Sequence, residues 1–303
     1  MSDATLSNTR PLFILCSGRS FSSVVCGMLG QHPELYGLPE MNFFVADTIG
    51  GLFDWFRQAG PGNRHRLDGL ARAIAQLHSG EQSETSLQRA WQWLHAHADL
   101  STAQLAHAIA NQLQNRALVE KSPSNSVEPA CLDRLRATFP QVRILHLLRH
   151  PRPTGQSIHE AHRDRAKGRA LLGDARLIER NWLKVQGNIL RFTATLPPGQ
   201  AIRLRGEDLL TDPPRYLRQI CQWLEIRDDD DAINAMLHPE DSPYACIGPP
   251  NARGGNNRKY LEDPHLRPFK PRPVNLTDPL AWMNDGSGFS PATLALARSL
   301  GYR

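Results

Sequence analysis

Two stretches of this chain carry the residue types that hold anions. In the first, Gly18-Arg19-Ser20-Phe21-Ser22-Ser23 follows the apolar run Leu12-Phe13-Ile14-Leu15 and precedes Val24, Val25, Met28 and Leu29 at helical spacing. A strand, a turn and a helix N-terminus in that order aim free backbone N–H groups and the positive end of a helix dipole at one point. Arg19 adds a permanent charge there, and Ser20, Ser22 and Ser23 add hydroxyl donors. In the second stretch, Arg149 leaves the apolar run 142–148 and Ser157 lies eight residues on, inside the next helix. That spacing can bring a guanidinium and a hydroxyl to one phosphate. A carboxylate, Glu40, follows the short strand Leu35-Tyr36 and the strand-ending Gly37 and Pro39. It therefore stands at a strand's C-terminal end, where open α/β sheets place their ligands. Each feature alone has a plainer reading. The first turn fits any strand–helix junction, and an Arg after a strand is usually a surface charge.

Other arrangements are excluded or disfavoured. The ATP/GTP loop needs Gly-Lys-Ser/Thr, and no Gly-Lys pair occurs in the 303 residues. No apolar run approaches a membrane span, and residues 1–10 are polar, without a secretory signal. Five scattered cysteines, an odd number without paired spacing, point to reduced thiols in a cytoplasm and to no zinc site. The formal net charge of +5 suits an anionic ligand. Nucleic acid would call for clustered Lys/Arg with aromatics, which the chain lacks.

The elements that must position these residues alternate in kind. Strands are expected at 12–15, near 35–36, at 117–121, 142–148 and 201–205. Helices follow each, at 129–139, from about 155, at 179–196, after the Asp212-Pro213 start signal, and from Ser290-Pro291. Such alternation predicts an α/β fold, a doubly wound parallel sheet flanked by helices. Residues from about 50 to 115 read as a helical insertion, with Leu67, Leu70, Ala71, Ile74 and Leu77 inward and a capping box at Ser101 and Gln104. The stretch 241–276 is rich in Gly, Pro and Asn and reads as irregular.

Several motifs resemble those of sulfotransferases. Arg19-Ser20-Phe21-Ser22-Ser23 resembles their 5′-phosphosulfate loop, usually Lys/Arg-Ser-Gly-Ser/Thr-Ser/Thr, with Phe21 in the place of Gly. If that Gly serves a positive φ or a close approach, Phe is awkward there. Leu147-Leu148-Arg149-His150-Pro151 with Ser157 resembles their 3′-phosphate motif. The two stand in the right order, about 130 residues apart. Gly37-Leu38-Pro39-Glu40 is similar to the segment of protein-tyrosine sulfotransferases and related bacterial enzymes in which a Glu acts as base. Glu120-Lys121-Ser122-Pro123 resembles the segment supplying their catalytic Lys. Arg205-Gly206-Glu207-Asp208-Leu209 resembles their Tyr-Glu-Asp-Leu strand end, with Gly206 in place of Tyr.

The resemblance implies a P-loop-like fold in one domain over 1–303, and sulfuryl transfer from 3′-phosphoadenosine 5′-phosphosulfate (PAPS) to a hydroxyl. Adenosine 3′,5′-bisphosphate (PAP) is the product, and no metal is needed. By the same resemblance, the loop from Gly18 to Ser23, with Arg19 foremost, holds the 5′-phosphate and offsets leaving-group charge. Lys121 stabilises the transferring sulfuryl oxygens, Glu40 takes the acceptor proton, and Arg149 with Ser157 selects the 3′-phosphate. A late basic loop, with Arg253, Arg258 and Lys259, is a further candidate for that phosphate. His146 reads as a core histidine and His150 as a support of its loop, and Glu207 and Asp208 as anchors of the strand end. A P-loop-like kinase, and a non-catalytic binding protein on the same fold, stay open. So do the acceptor (peptide tyrosine, sugar, lipid, or small phenol or alcohol) and a homodimer.

Overall fold

The apolar runs pair side by side in a computed structural model that describes residues 10–58, 60, 63–166, 176–271, 273–283 and 285–303. The polar N-terminal residues 1–9 lie outside the described residues. Strands β1 (Leu12–Leu15), β2 (Leu35–Gly37), β3 (Ala117–Glu120), β4 (Arg143–Leu148) and β5 (Ala201–Arg205) form one sheet in the order β2-β3-β1-β4-β5. Every pairing is parallel. The inner strands β1, β3 and β4 are buried at every position, as sheets covered on both faces require, whereas edge strand β5 is mostly half-buried.

The helices are α1 (Ser22–Leu29), α2 (Ile49–Gln58), α3 (Asp68–Ser79), α4 (Glu84–Ala96), α5 (Thr102–Gln112), α6 (Pro129–Thr138) and α7 (Pro151–Ala166). They continue as α8 (Leu177–Ala194), α9 (Gly206–Thr211), α10 (Pro213–Leu224), α11 (Asp230–Met236), α12 (Arg258–Glu262) and α13 (Pro291–Ser299). Side chains alternate across each strand, and two cores result. Phe13 and Leu15 face a core shared with α2 to α6 and α8. Leu12 and Ile14 face one shared with α1, α10 and α11. The 50–115 helices thus pack into the first core through Leu70, Ile74, Leu94 and Ile109. The expected capping box is present: Gln104 N donates to Ser101 Oγ and Ser101 N to Gln104 Oε1, each at 3.1 Å.

Two element bounds differ from the sequence reading. Helix α7 begins at Pro151, not near Gly155, because proline is pre-shaped for a first helical position. Within the irregular stretch a short helix, α12, starts at the capping residue Asn257. No described helix is long and apolar enough to cross a membrane.

Chain connections leave β1 toward β3 and β2 on one side, and pass to β4 and β5 on the other. Ligands of open α/β sheets bind at such a reversal, beyond the strands' C-terminal ends. Arg19 follows β1, Glu40 follows β2, Lys121 follows β3, and Arg149 follows β4. One edge of the sheet therefore collects all four.

Candidate functional site

The turn after β1 is shaped by two left-handed residues, Arg19 (φ 67°) and Phe21 (φ 65°). Between them Ser20 is fully buried, its Oγ 2.8 Å from Ser17 Oγ. Helix α1 then starts with no side-chain cap and no acidic residue in its first turn. An anion there would meet uncancelled N–H groups and dipole. Cys16 adjoins the turn, but burial pushes its thiol up to about 12, far from a thiolate nucleophile.

Arg19, Arg149 and Ser157 come together. Arg19 Nε donates to Ser157 Oγ at 2.9 Å, and Arg149 Nη1 donates to the Arg19 carbonyl at 2.6 Å. Ser157 is in reach because α7 starts at Pro151 and turns that position back over the loop. The Phe21 ring lies beneath Arg149, with Cζ 4.3 Å from its centroid.

A second cluster adjoins the first through Ser23. Lys121 Nζ donates to Glu40 Oε1 at 2.9 Å and to Ser23 Oγ at 3.1 Å. The Lys121 side chain is fully buried and that of Glu40 is 31% exposed. Glu40 Oε2 has no hydrogen-bond partner among the described residues. Ser23 Oγ also accepts from Asn257 N at 3.1 Å. Beside Lys121, fully buried Glu120 accepts from Met41 N at 3.1 Å, Asn125 Nδ2 at 3.0 Å and Ser122 Oγ. Burial raises its carboxyl above the usual range. The bond from Met41 N fixes the chain just beyond Glu40.

Sequence reasoning missed the residues that hold this cluster from behind. Glu40 N donates to Gly255 O at 2.7 Å. The neighbouring Gly254 is gripped by α3 through both of its backbone polar groups. Its N–H donates to Asp68 Oδ2 at 2.8 Å, and its carbonyl accepts from Arg72 Nη1 at 2.8 Å. Arg72 is fully buried and also donates to Gln82 Oε1 at 2.6 Å. Gly69, between them, lets the Glu40 backbone approach, since a Cβ there would stand 2.4 Å from Glu40 O. A signal existed: Arg72 interrupts the apolar stripe of α3, where a charge must find partners.

The remaining candidates make no hydrogen bond with a side chain of these two clusters among the described residues. Arg253 and Lys259 are exposed, and Arg258 pairs with Glu262 at 2.7 Å on the surface of α12. His146 is buried, with Nε2 2.7 Å from Gln186 Oε1 and Nδ1 accepting from Arg203 Nε at 3.2 Å. His150 donates its backbone N–H to Glu207 Oε1 at 2.8 Å. Asp208 pairs with Arg205 at 2.7 Å. Burial lowers both histidines to about 4, helped by Arg203 at one and by Arg152 and Arg149 at the other. Both are neutral near pH 7.

A protein-family profile described as the sulfotransferase family matches residues 11–230. The chain belongs to the sulfotransferase family. The match spans the turn after β1, Glu40, Lys121, Arg149 and Ser157 of this sulfotransferase. Among solved structures, it is similar to the sulfotransferase domain of the Synechococcus PCC 7002 olefin synthase. That likeness has 26% identity and a TM-score of 0.73, and covers 97% of this chain and 96% of that one. It is also similar to the sulfotransferase domain from the curacin biosynthetic pathway, at 23% identity and a TM-score of 0.75, over 97% and 98% of the two chains. A more distant likeness in fold is to the sulfotransferase STF9 of Mycobacterium avium. It has 16% identity and a TM-score of 0.53, and covers 97% of this chain and 78% of that one. No curated protein sequence matches the chain.

Proposed function

We propose that the protein transfers the sulfuryl group of PAPS to a hydroxyl acceptor. The observation that carries this reading is the buried Lys121 ammonium, held between the Glu40 carboxylate and the Ser23 hydroxyl at the start of α1. A cation and an oriented carboxylate thus adjoin an uncapped helix N-terminus of the kind that suits an anion. The uncapped first turn of α1, with Arg19, Ser22 and Ser23, fits the 5′-phosphosulfate end of the donor. Arg149 and Ser157, joined to that turn through Arg19, fit the 3′-phosphate.

On this reading the acceptor oxygen attacks sulfur in line while the bond from sulfur to the bridging phosphate oxygen breaks. Glu40 takes the acceptor's proton on its unoccupied oxygen. Lys121 supplies positive charge from beneath Glu40 and Ser23, in a setting shielded from water where charge counts for most. Arg19 and the loop N–H groups offset the charge arriving on the leaving phosphate. Positioning and electrostatics do most of the work, as in phosphoryl transfer. The likeness to a domain of an olefin synthase favours a small-molecule hydroxyl over a peptide tyrosine.

Calorimetry tests the donor assignment. PAP is expected to bind without Mg²⁺ and much more tightly than ADP. Equal affinity for the two, or binding of ATP that needs Mg²⁺, would instead favour a kinase.

A further inference from the structure

We propose that Phe21 is a positioning residue for donor choice: its ring stands in for a side chain at position 206 and fixes the Arg149 guanidinium against the phosphate turn. This rests on the donor reading above. Two sequence departures meet at this point. Phe stands where sulfotransferases usually have Gly, and Gly206 stands where they usually have Tyr.

The backbone at Phe21 is left-handed, at φ 65°. A bulky side chain is rare in that region and persists only where its surroundings over-determine it. Here the left-handed turn sends the ring back over the ends of β4 and β5. It packs edge-on against Phe269, with centroids 5.5 Å apart and planes at 76°. It also fills the space beside Gly206, where a Cβ would stand 2.6 Å from Phe21 Cδ2 and 3.1 Å from Leu148 O. Only a residue without a side chain at 206 leaves the ring this slot.

The face of that ring carries Arg149, whose Cζ lies 4.3 Å from the centroid. Hydrogen bonding alone holds the guanidinium weakly. Nη1 donates to the Arg19 carbonyl, whereas Nε is buried without a hydrogen-bond partner among the described residues. Glu207 attracts the group from the β5 side and Arg19 repels it. The ring supplies what these leave out, a flat surface that sets the plane of the cation. A guanidinium reads a phosphate through that plane. Without the ring, the pull of Glu207 draws Arg149 away from Ser157 and from a phosphate on the ribose 3′ oxygen.

Calorimetric affinities for PAP and ADP in Phe21→Gly, Phe21→Leu, Phe21→Tyr and Phe21→Gly/Gly206→Tyr test the proposal. Glycine suits a left-handed position, so Phe21→Gly is expected to fold, and Leu fills the slot without offering a π face. In both, the preference for PAP over ADP is expected to fall by about five- to thirtyfold. Phe21→Tyr keeps the parent ratio. The double variant, with a ring returned from position 206, recovers most of it. If the parent prefers PAP and the Gly and Leu variants keep that preference, the role of Phe21 is overturned and the donor reading stands. A double variant no better than Phe21→Gly overturns the stand-in for position 206. A parent that binds PAP and ADP alike overturns the donor reading and this proposal with it.

Discussion

At the scale of single residues, the proposed function gives Glu40 and Arg149 separable duties. Glu40 takes Lys121 on one oxygen and leaves the other for a proton. Even a phenol, with a pKa of about 10, attacks poorly while protonated. Proton removal by a positioned base contributes about 10²–10⁴-fold. Glu40→Gln keeps the shape and one acceptor oxygen, so kcat is expected to drop by that order with nucleotide binding intact. Parent-like turnover in a steady-state assay would remove Glu40 from the chemistry. His150 is a poor replacement, because its ring is buried against Tyr302. On the same proposal Arg149 works the other way, in binding. Losing a charge-assisted contact costs about 1.5–3 kcal/mol, so Arg149→Ala is expected to weaken PAP by about tenfold or more and ADP far less. Equal losses for both nucleotides in calorimetry would mean that Arg149 does not read the 3′-phosphate.

At the scale of elements, the helices of 50–115 gained a duty that the sequence did not announce. Their apolar stripe was legible, because Leu70, Ala71 and Ile74 recur at helical spacing. That α3 would also hold the 254–255 loop behind Glu40 was not, since Asp68 and Arg72 meet Gly254 across more than 180 residues of chain. Local pattern reports which face of a helix is inward but not what waits there. Asn257 escaped for the same reason: its useful group is a backbone N–H, which every non-proline residue has. The brace makes a prediction about Gly69. In an unhindered helix Gly→Ala stabilises by about 1 kcal/mol. Here the added methyl would press on Glu40 O. A shift of 1 Å in a catalytic group can cost about 10²-fold, so Gly69→Ala is expected to lower kcat by that order and leave the PAP affinity near the parent's. A more stable variant with unchanged kcat would show that α3 does not set the position of Glu40.

At the scale of the whole molecule, alternating strands and helices were enough to foresee a parallel sheet flanked by helices. The strand order was beyond reach, because β3 lies beside both β1 and β2 and nothing local encodes that pairing. The same sheet buries two histidines as neutral groups, and this gives the fold a pH limit. His146 sits inside β4 between Gln186 of α8 and Arg203 of β5, and His150 follows β4 beside Arg149 and Arg152. Each is lowered from 6.5 to about 4 on folding. Below pH 6.5 the unfolded chain binds these protons and the folded chain does not. The stability they contribute is therefore complete above 6.5 and is lost as pH falls toward 4, by up to about 1.4 kcal/mol per pH unit for each histidine. Tm is expected to fall steadily between pH 7 and 4.5. His146→Asn, which cannot titrate, starts from a lower Tm at pH 7.5 because the Arg203 and Gln186 contacts are disturbed, yet its decline with acid is expected to be shallower than the parent's. A Tm flat across that range in the parent, or equal slopes in parent and variant, would mean that these histidines do not couple folding to pH.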